Sequence, residues 1–394
     1  MKPLKYFLTV ATLAALQACG GGGGGSGSAA PDPSTPTTPT TPTTPTSPTI
    51  ATYGTRTLPG RLLVNASDGH SARLMNLGSG DQASLPASAN TTADVWSVSQ
   101  DGLTLTRVTR DNSQGNYPVS YFDASSLAAR GAALSISSLL GVSELQLSAG
   151  SRWALAQYGD GLQAPQRLTV FSADSLAVQK QGSQLDGADI VGDPQAWLPD
   201  GRYVYLRANE LWASSPTSTG SELLARLDLP SNDAVDGTGY VAGQGSLAVS
   251  PDGTRIAFTW RVKRGNGWDT HVFTAKLDGS DLRQMTAVAD ATDPLGYAFG
   301  SPTWSPDGQW LAFVLYMNGA TAAPVWPQDT IGAAQVIGTT GCDASPVYVL
   351  PVGQSPAQAF GWPAVKQDRA LKVHALAGSN GEWVTTCSTV HWLP

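Results

Sequence analysis

Histidine, the side chain most often used to bind transition metals and to transfer protons, is scarce in this sequence. Its 394 residues include four histidines: His70, His271, His374 and His391. No His-Glu-x-x-His segment and no Cys-x-x-Cys pair occurs, so both common zinc signatures are missing. His271 and His391 fall in predicted strands, where a structural role is the simpler interpretation, although ligands from separate segments would leave no such signature. We therefore predict no metal site and no cofactor.

Motifs for covalent catalysis and nucleotide binding are also missing. The sequence has no Gly-x-Ser-x-Gly elbow, no P-loop and no Gly-x-Gly-x-x-Gly after a predicted strand. Acidic residues cluster at Asp186, Asp189 and Asp193, and at Asp233 and Asp236, but without EF-hand spacing, so we interpret them as turn residues. These features predict that the protein is not an enzyme and has no catalytic residues.

Two loops combine aromatic and charged residues in a way that is typical of binding surfaces. Trp268 follows the basic segment Arg261-Val-Lys-Arg264, and Trp326 precedes Asp329. Loops on a rigid scaffold are where recognition usually occurs. We predict that these five residues, Arg261, Arg264, Trp268, Trp326 and Asp329, contribute to binding; the alternative is that they cover an exposed sheet edge.

A repeated segment predicts the elements that position these loops. Leu247–Phe258 and Pro302–Phe313 both contain Ser-Pro-Asp-Gly between two apolar strands, which is typical of a β-hairpin. Weaker copies lie upstream, and successive turn glycines are 48, 51, 52 and 55 residues apart. These glycines are Gly102, Gly150, Gly201, Gly253 and Gly308. Aspartates in the motif, including Asp200, Asp252 and Asp307, are predicted to form the turns.

The best-preserved repeat continues beyond its hairpin. Asp269–Leu277 alternates like a third strand and is followed by Asp278-Gly279-Ser280 and by Leu282–Thr286. This pattern resembles the TolB-like, PD40 class of WD40-like β-propellers. The resemblance implies an all-β propeller with four-stranded antiparallel blades, and it does not specify a function.

The two ends of the repeat region fit together. Leu58–Val64 resembles the second half of the motif, with its glycine at Gly60, and Ser388–Pro394 resembles the first half. We expect the final strand to complete the first blade, which removes an open sheet edge. The result is six blades starting near residues 58, 94, 143, 193, 246 and 301; seven is an alternative, because 86 residues follow Gly308.

The N-terminal segment is typical of an exported protein. Residues 1–18 contain two lysines and a short apolar run, as in a signal peptide, and Leu16-Gln-Ala-Cys19 resembles a bacterial lipobox. The resemblance implies lipidation of Cys19 and, with Gly20 next, an outer-membrane lipoprotein; an ordinary cleaved signal is the alternative. Residues 19–50 are rich in Gly and then in Thr and Pro, which predicts a disordered linker before a propeller domain at 51–394.

Composition and charge limit the classes of partner that the sequence predicts. The net charge is −7 and the 23 basic residues are scattered, so no nucleic-acid surface is predicted. In an exported chain the two remaining cysteines, Cys342 and Cys387, are predicted to form a disulfide. Together these features predict a lipid-anchored cell-envelope module that binds a protein, peptide or glycan, facing the periplasm or the cell surface. Two alternatives are a polysaccharide lyase or hydrolase acting in the propeller channel, and a structural or adhesive surface lipoprotein.

Overall fold

The computed structural model describes fourteen segments of the chain, all within the compact unit Ile50–Pro394. These segments are residues 58–65, 72–77, 82–87, 94–109, 115–137, 144–158, 167–181, 195–230, 246–264, 267–288, 296–318, 347–353, 355–360 and 389–394. They consist of strands and turns with one 3₁₀ turn at Ala149–Ser151, and within them there is no α-helix. The predicted signal peptide, linker and Cys19 lie outside the described residues.

Four sheets of four antiparallel strands form the first two thirds of the fold. Blade 1 contains, in spatial order, β25 (His391–Leu393), β1 (Arg61–Asn65), β2 (Ala72–Asn76) and β3 (Gln82–Ser84). Blade 2 contains β4 (Asp94–Val98), β5 (Thr104–Thr109), β6 (Asn116–Asp123) and β7 (Leu134–Ser137). Blade 3 contains β8 (Gln146–Leu147), β9 (Trp153–Tyr158), β10 (Arg167–Ser172) and β11 (Val178–Gln181). Blade 4 contains β12 (Gln195–Trp197), β13 (Tyr203–Arg207), β14 (Glu210–Ser214) and β15 (Glu222–Arg226).

The last two blades are joined to each other. Blade 5 contains β16 (Leu247–Val249), β17 (Arg255–Arg264), β18 (Gly267–Lys276) and β19 (Arg283–Gln284). Blade 6 contains β21 (Gly296–Trp304), β22 (Trp310–Asn318) and β23 (Val347–Pro351). A parallel bridge between Thr270 and Ala298 links β18 to β21. Farther out, β20 (Thr286–Val288) pairs in parallel with β24 (Gln358–Phe360), so blade 6 departs from the predicted four-stranded pattern.

The strand β25 supplies the first strand of blade 1. It pairs antiparallel with β1, with Leu393 opposite Arg61 and His391 opposite Leu63. The Arg61 Nε donates a hydrogen bond to the oxygen of Pro394 at 2.9 Å, and the Trp392 Nε1 donates to the carbonyl of Pro59 at 2.7 Å. This is the arrangement that the split repeat predicts.

Buried apolar clusters connect each blade to the next. Six clusters each combine side chains of two neighbouring blades, and one of them joins blade 6 to blade 1. Members that share a cluster include Leu393 with Trp96, Val119 with Ala154, Leu155 with Trp197, Leu211 with Phe258, Ala257 with Phe313, and Val349 with Leu62. The first strands of neighbouring blades also contact one another. For example, β25 contacts β21 on one side and β4 on the other. These first strands therefore surround the axis of the propeller.

The repeated turns are built as the motif predicts. In blade 6, the Ser305 Oγ donates to Asp307 at 2.5 Å and accepts the main-chain N–H of Trp310 at 2.9 Å. Asp307 also accepts the N–H of Gln309, and Gly308 has a φ of 67°. Equivalent positive-φ glycines are Gly60, Gly102, Gly201 and Gly253. The motif aspartates are therefore turn residues.

The turn of blade 3 differs by one position from the predicted alignment. Ser151, and not Gly150, donates its N–H to the carbonyl of Ser148, which is the bond that Gly308 makes to Ser305. Ser151 has a φ of 53°, and Gly150 lies where the other turns have aspartate. Its N–H is instead bonded at 2.7 Å to Asp101 of the preceding blade.

Candidate functional site

The hairpin of β17 and β18 is longer than the equivalent hairpins of blades 1 to 4. Its strands have ten residues each, whereas β1, β5, β9 and β13 have five or six. Four extra residues at the usual strand rise extend the hairpin by roughly 13 Å. The extension begins beyond Phe258, where the register with β16 ends, and it carries the basic segment 261–264.

A buried ion pair fixes this extended hairpin. The Arg264 guanidinium contacts Asp269 through two nitrogens, Nε to Oδ2 and Nη2 to Oδ1, the second at 3.2 Å. The Asp269 side chain is 1% exposed and that of Arg264 16%. A two-point contact between a planar guanidinium and a carboxylate restricts both side chains. The pair therefore holds the two strands together close to their turn.

His271 connects the hairpin to blade 6. Its ring stacks on Phe299 of β21 with centroids 5.7 Å apart, and its Nδ1 lies 3.2 Å from the Oγ1 of Thr286. Burial lowers the pKa of His271 to about 4; Asp269 opposes this shift and Arg264 adds to it. The imidazole is therefore neutral at physiological pH and has the structural role expected from the sequence.

Three of the predicted binding residues, Arg261, Arg264 and Trp268, belong to the β17–β18 hairpin. Arg261 is half-buried on β17 opposite Thr270, and the main chain of Trp268 lies opposite the exposed Lys263. Arg264 pairs with Asp269 inside the hairpin. Strand β22 ends at Asn318 and strand β23 begins at Val347, and both of these residues lie at the same end of the sheet. Trp326 and Asp329 belong to the connection between them and lie outside the described residues, as do Cys342 and Cys387.

Polar side chains link the first strands around the axis. The Ser97 Oγ of blade 2 donates to the carbonyl of Leu145 in blade 3 at 2.5 Å. The Ser246 Oγ of blade 5 accepts the N–H of Ser301 in blade 6 at 2.8 Å. The Thr303 Oγ1 of blade 6 accepts the N–H of Trp392 in blade 1 at 3.1 Å. These bonds satisfy main-chain groups of strands that have a sheet neighbour on only one side.

A carboxylate and an imidazole meet beside these bonds. The Nε2 of His391, on the first strand of blade 1, lies 3.2 Å from the Oε1 of Glu144, which precedes the first strand of blade 3. The same carboxylate oxygen is 3.4 Å from the Nε2 of Gln146. Both side chains of the pair are largely buried, at 19% and 16% exposure. The sequence pattern did not identify Glu144. The one feature that could have done so is its position in the repeat, which is occupied by Ser246, Ser301 and Thr389 in other copies.

Within the described segments, no group of three or more His, Cys, Asp or Glu side chains is placed to hold a metal ion. No helix in that part of the chain is long and apolar enough to cross a membrane.

Comparison with known proteins identifies a partial relative. No family model matches the chain. The Tol-Pal system protein TolB of Syntrophus aciditrophicus (strain SB) is 29% identical over 148 residues, which are 32% of this chain and 31% of that protein. The similarity therefore spans about a third of the length of the relative.

Solved structures with similar architecture have low identity. A putative TolB from Agrobacterium tumefaciens is 14% identical, with a TM-score of 0.42, and the match covers 75% of this chain and 86% of that one. The β-propeller domain of the Trilobed protease from Pyrococcus furiosus is 13% identical, with a TM-score of 0.40, covering 74% and 75%. The strand pairing described above is that of a β-propeller, and about a third of its sequence is similar to part of TolB.

Proposed function

We propose that this TolB-like propeller is a binding module of the bacterial cell envelope, anchored through Cys19, and that it binds a protein partner at the end that carries the β17–β18 hairpin. The N-terminal segment supports the location, since residues 1–18 have the features of a signal peptide and end at a lipobox-like cysteine. The name of the relative, a Tol-Pal system protein, supports a role in an envelope assembly.

The single observation that carries the proposal is the extended hairpin. The hairpin extends beyond its pairing with β16, and the Arg264–Asp269 pair and the His271–Phe299 contact hold it in shape. A rigid element loses little conformational entropy when it binds, which favours a role in recognition.

The charge of the hairpin indicates the chemistry of the partner. Arg261 and Lys263 are two residues apart on one strand and therefore lie on the same face, and the Lys263 side chain is exposed. Because basic residues accelerate association with surfaces of opposite charge, we expect an acidic patch or segment on the partner.

A matched pair of charge reversals tests the binding surface. Lys263→Glu changes the hairpin, and Lys276→Glu changes an exposed lysine at the other end of the adjacent strand β18. Envelope proteins crosslinked to each variant in intact cells are quantified against the wild type. The proposal predicts a protein that is lost from the Lys263→Glu sample and retained with Lys276→Glu. Equal recovery with both variants would place the binding surface elsewhere.

The anchor has a separate test. Replacing Cys19 with Ser removes the thiol that a lipid would modify, so the protein is expected to move from the membrane fraction to the soluble periplasmic fraction. An unchanged distribution would show that the membrane association does not depend on Cys19.

A further inference from the structure

We propose that the partner binds through an acidic protein segment that lies across a sheet surface built jointly by blades 5 and 6, and not on the β17–β18 hairpin alone. This inference rests on the proposed function, because it specifies the extent and the charge of the same binding surface. Three observations carry it: one row of paired residues, the burial of the opposite face, and the distribution of charge between the two faces.

The row of paired residues crosses from the hairpin into blade 6. Arg261 of β17 is opposite Thr270 of β18. Thr270 forms the parallel bridge to Ala298 of β21, which is opposite Tyr316 of β22. Residues that are directly opposed in a sheet share one face of it, and three strand spacings make this row about 14 Å wide. The ends of the four strands therefore share one face, the joined face, which includes Arg261, Lys263, Thr270 and Ala298.

The opposite face of the hairpin is already covered. Trp260 is 6% exposed, and its Nε1 donates a hydrogen bond to the carbonyl of Pro230 at 3.0 Å. Val262 and Leu229 both pack against the apolar cluster of blades 4 and 5. Asp269, which is opposite Val262, is 1% exposed. This side of the hairpin is therefore closed to a partner.

The joined face remains in contact with solvent. Lys263 is exposed, and the partly exposed members are Arg261, Thr270 and Ala298. One row farther into blade 5 the same face is closed, since Thr259 is 4% exposed and the opposing Val272 is 0% exposed. The accessible part of the face thus lies at the hairpin end of blades 5 and 6.

The two faces of the sheet differ in charge. Arg261 and Lys263 belong to the joined face, whereas Arg264 and Asp269, which pair with each other, belong to the opposite face. Asp269 is the one carboxylate in the four strand ends 259–264, 267–272, 296–300 and 314–318. The strand ends therefore give the joined face basic side chains and no carboxylate. Because charge complementarity selects partners, this face fits a segment that contains Asp or Glu.

Photocrosslinking across the joined face tests its extent. A photoreactive amino acid replaces Thr270, Ala298 or Val262 in the full-length protein in intact cells, and each adduct is compared with the adduct from position 263. Val262 is the matched control, because it belongs to the same hairpin but to the opposite face. We expect the same envelope protein at positions 263, 270 and 298 and its loss at position 262. If the replacement at Ala298 prevents folding, position 270 gives the answer.

Carbodiimide coupling tests the charge of the partner. This reagent joins a lysine amine directly to a carboxylate, so we expect mass spectrometry to find Lys263 joined to an Asp or Glu of the same envelope protein. Lys263→Arg keeps the positive charge and removes the amine. This variant is expected to lose the coupled product while the photoadducts at positions 270 and 298 persist.

The results separate this inference from the proposed function. An adduct at position 263 without one at 270 and 298, or equal yields at 262 and 298, would overturn the joined face and leave binding at the hairpin. Photoadducts without a coupled product that depends on Lys263 would overturn the acidic segment. No adduct at any of the four positions would contradict the proposed function and this inference together.

Discussion

The ring of Pro394 lies directly against Gly102: a β-carbon added at Gly102 would sit 2.4 Å from the Cδ of Pro394. The same relationship recurs around the propeller, because Gly253 faces Pro199 and Gly60 faces Pro306, with 2.9 Å from the added β-carbon to the nearest proline atom in both cases. In each case the turn glycine of one blade meets the motif proline of the preceding blade. The Ser-Pro-Asp-Gly motif thus forms the turn within a blade and also a contact between blades.

Gly102→Ala is expected to destabilise the protein more than Gly201→Ala. Both glycines have positive φ, which costs about 1–2 kcal/mol for an L-residue. Only Gly102 faces a proline; Gly201 has nothing within 4 Å of the added carbon, because the preceding blade has Ala149 at the proline position. The overlap with Pro394 should add about 1–3 kcal/mol, measured by urea unfolding. Equal losses for the two variants would show that Pro394 does not press on this turn, and Pro394→Ala should rescue much of the difference.

Loss of Arg264 should be costly because it leaves a buried charge. Arg264→Met removes the ion-pair partner that contacts both carboxylate oxygens of Asp269, whose side chain is 1% exposed, and should lower the free energy of unfolding by about 3–5 kcal/mol. Arg283→Met, which breaks the exposed pair with Asp281, should cost less than about 1 kcal/mol. Thermal unfolding of both variants compares the two losses of stability. Similar shifts in Tm would contradict a structural role for the hairpin pair.

Protonation of His271 should make the fold sensitive to acid. The pKa of this histidine is about 4 in the folded protein and 6.5 when it is exposed. Between these pH values the unfolded chain binds a proton that the folded chain does not, so stability falls as the pH is lowered from 6.5 to 4, by up to about 3 kcal/mol. Urea unfolding at several pH values should show a shallower dependence for His271→Gln. Identical slopes would mean that His271 keeps an ordinary pKa in the fold.

The motif serine should matter through the main-chain group that it satisfies. Ser305→Ala removes the acceptor of the buried Trp310 N–H and should cost about 1–3 kcal/mol. Ser125→Ala is the control, since Ser125 donates to Asp123 in an exposed turn and its loss should cost much less. Equal effects on the Tm would indicate that the turn bonds do not contribute to stability through burial.

The sequence was sufficient to predict features that depend on neighbouring residues. Ser-Pro-Asp-Gly specifies a turn through the φ of proline, the hydrogen bonds of aspartate and the freedom of glycine, and five copies of the turn have the expected glycine where it was predicted. The exception is blade 3, where Ser151 adopts the left-handed conformation after Gly150 and shifts the alignment by one residue.

Contacts between distant segments were beyond the sequence pattern. Glu144 and His391 meet because blades 1 and 3 are brought around one axis, and nothing in either local segment records that distance. The bridge of Thr270 to Ala298 depends likewise on the placement of two blades. The predicted binding residues at the hairpin could be found, since they combine unusual charge with an aromatic side chain, but the intramolecular pairing of Arg264 required the register of β17 with β18.

Site-specific photocrosslinking in intact cells tests whether a partner binds at the β17–β18 hairpin. A photoreactive amino acid replaces Lys263 in one strain and Lys276 in another, two positions about 26 Å apart along the extended strands. We expect a discrete envelope-protein adduct from position 263, and no such adduct from position 276. Adducts of equal yield from both positions, or an adduct from position 276 alone, would contradict binding at the hairpin end of the propeller.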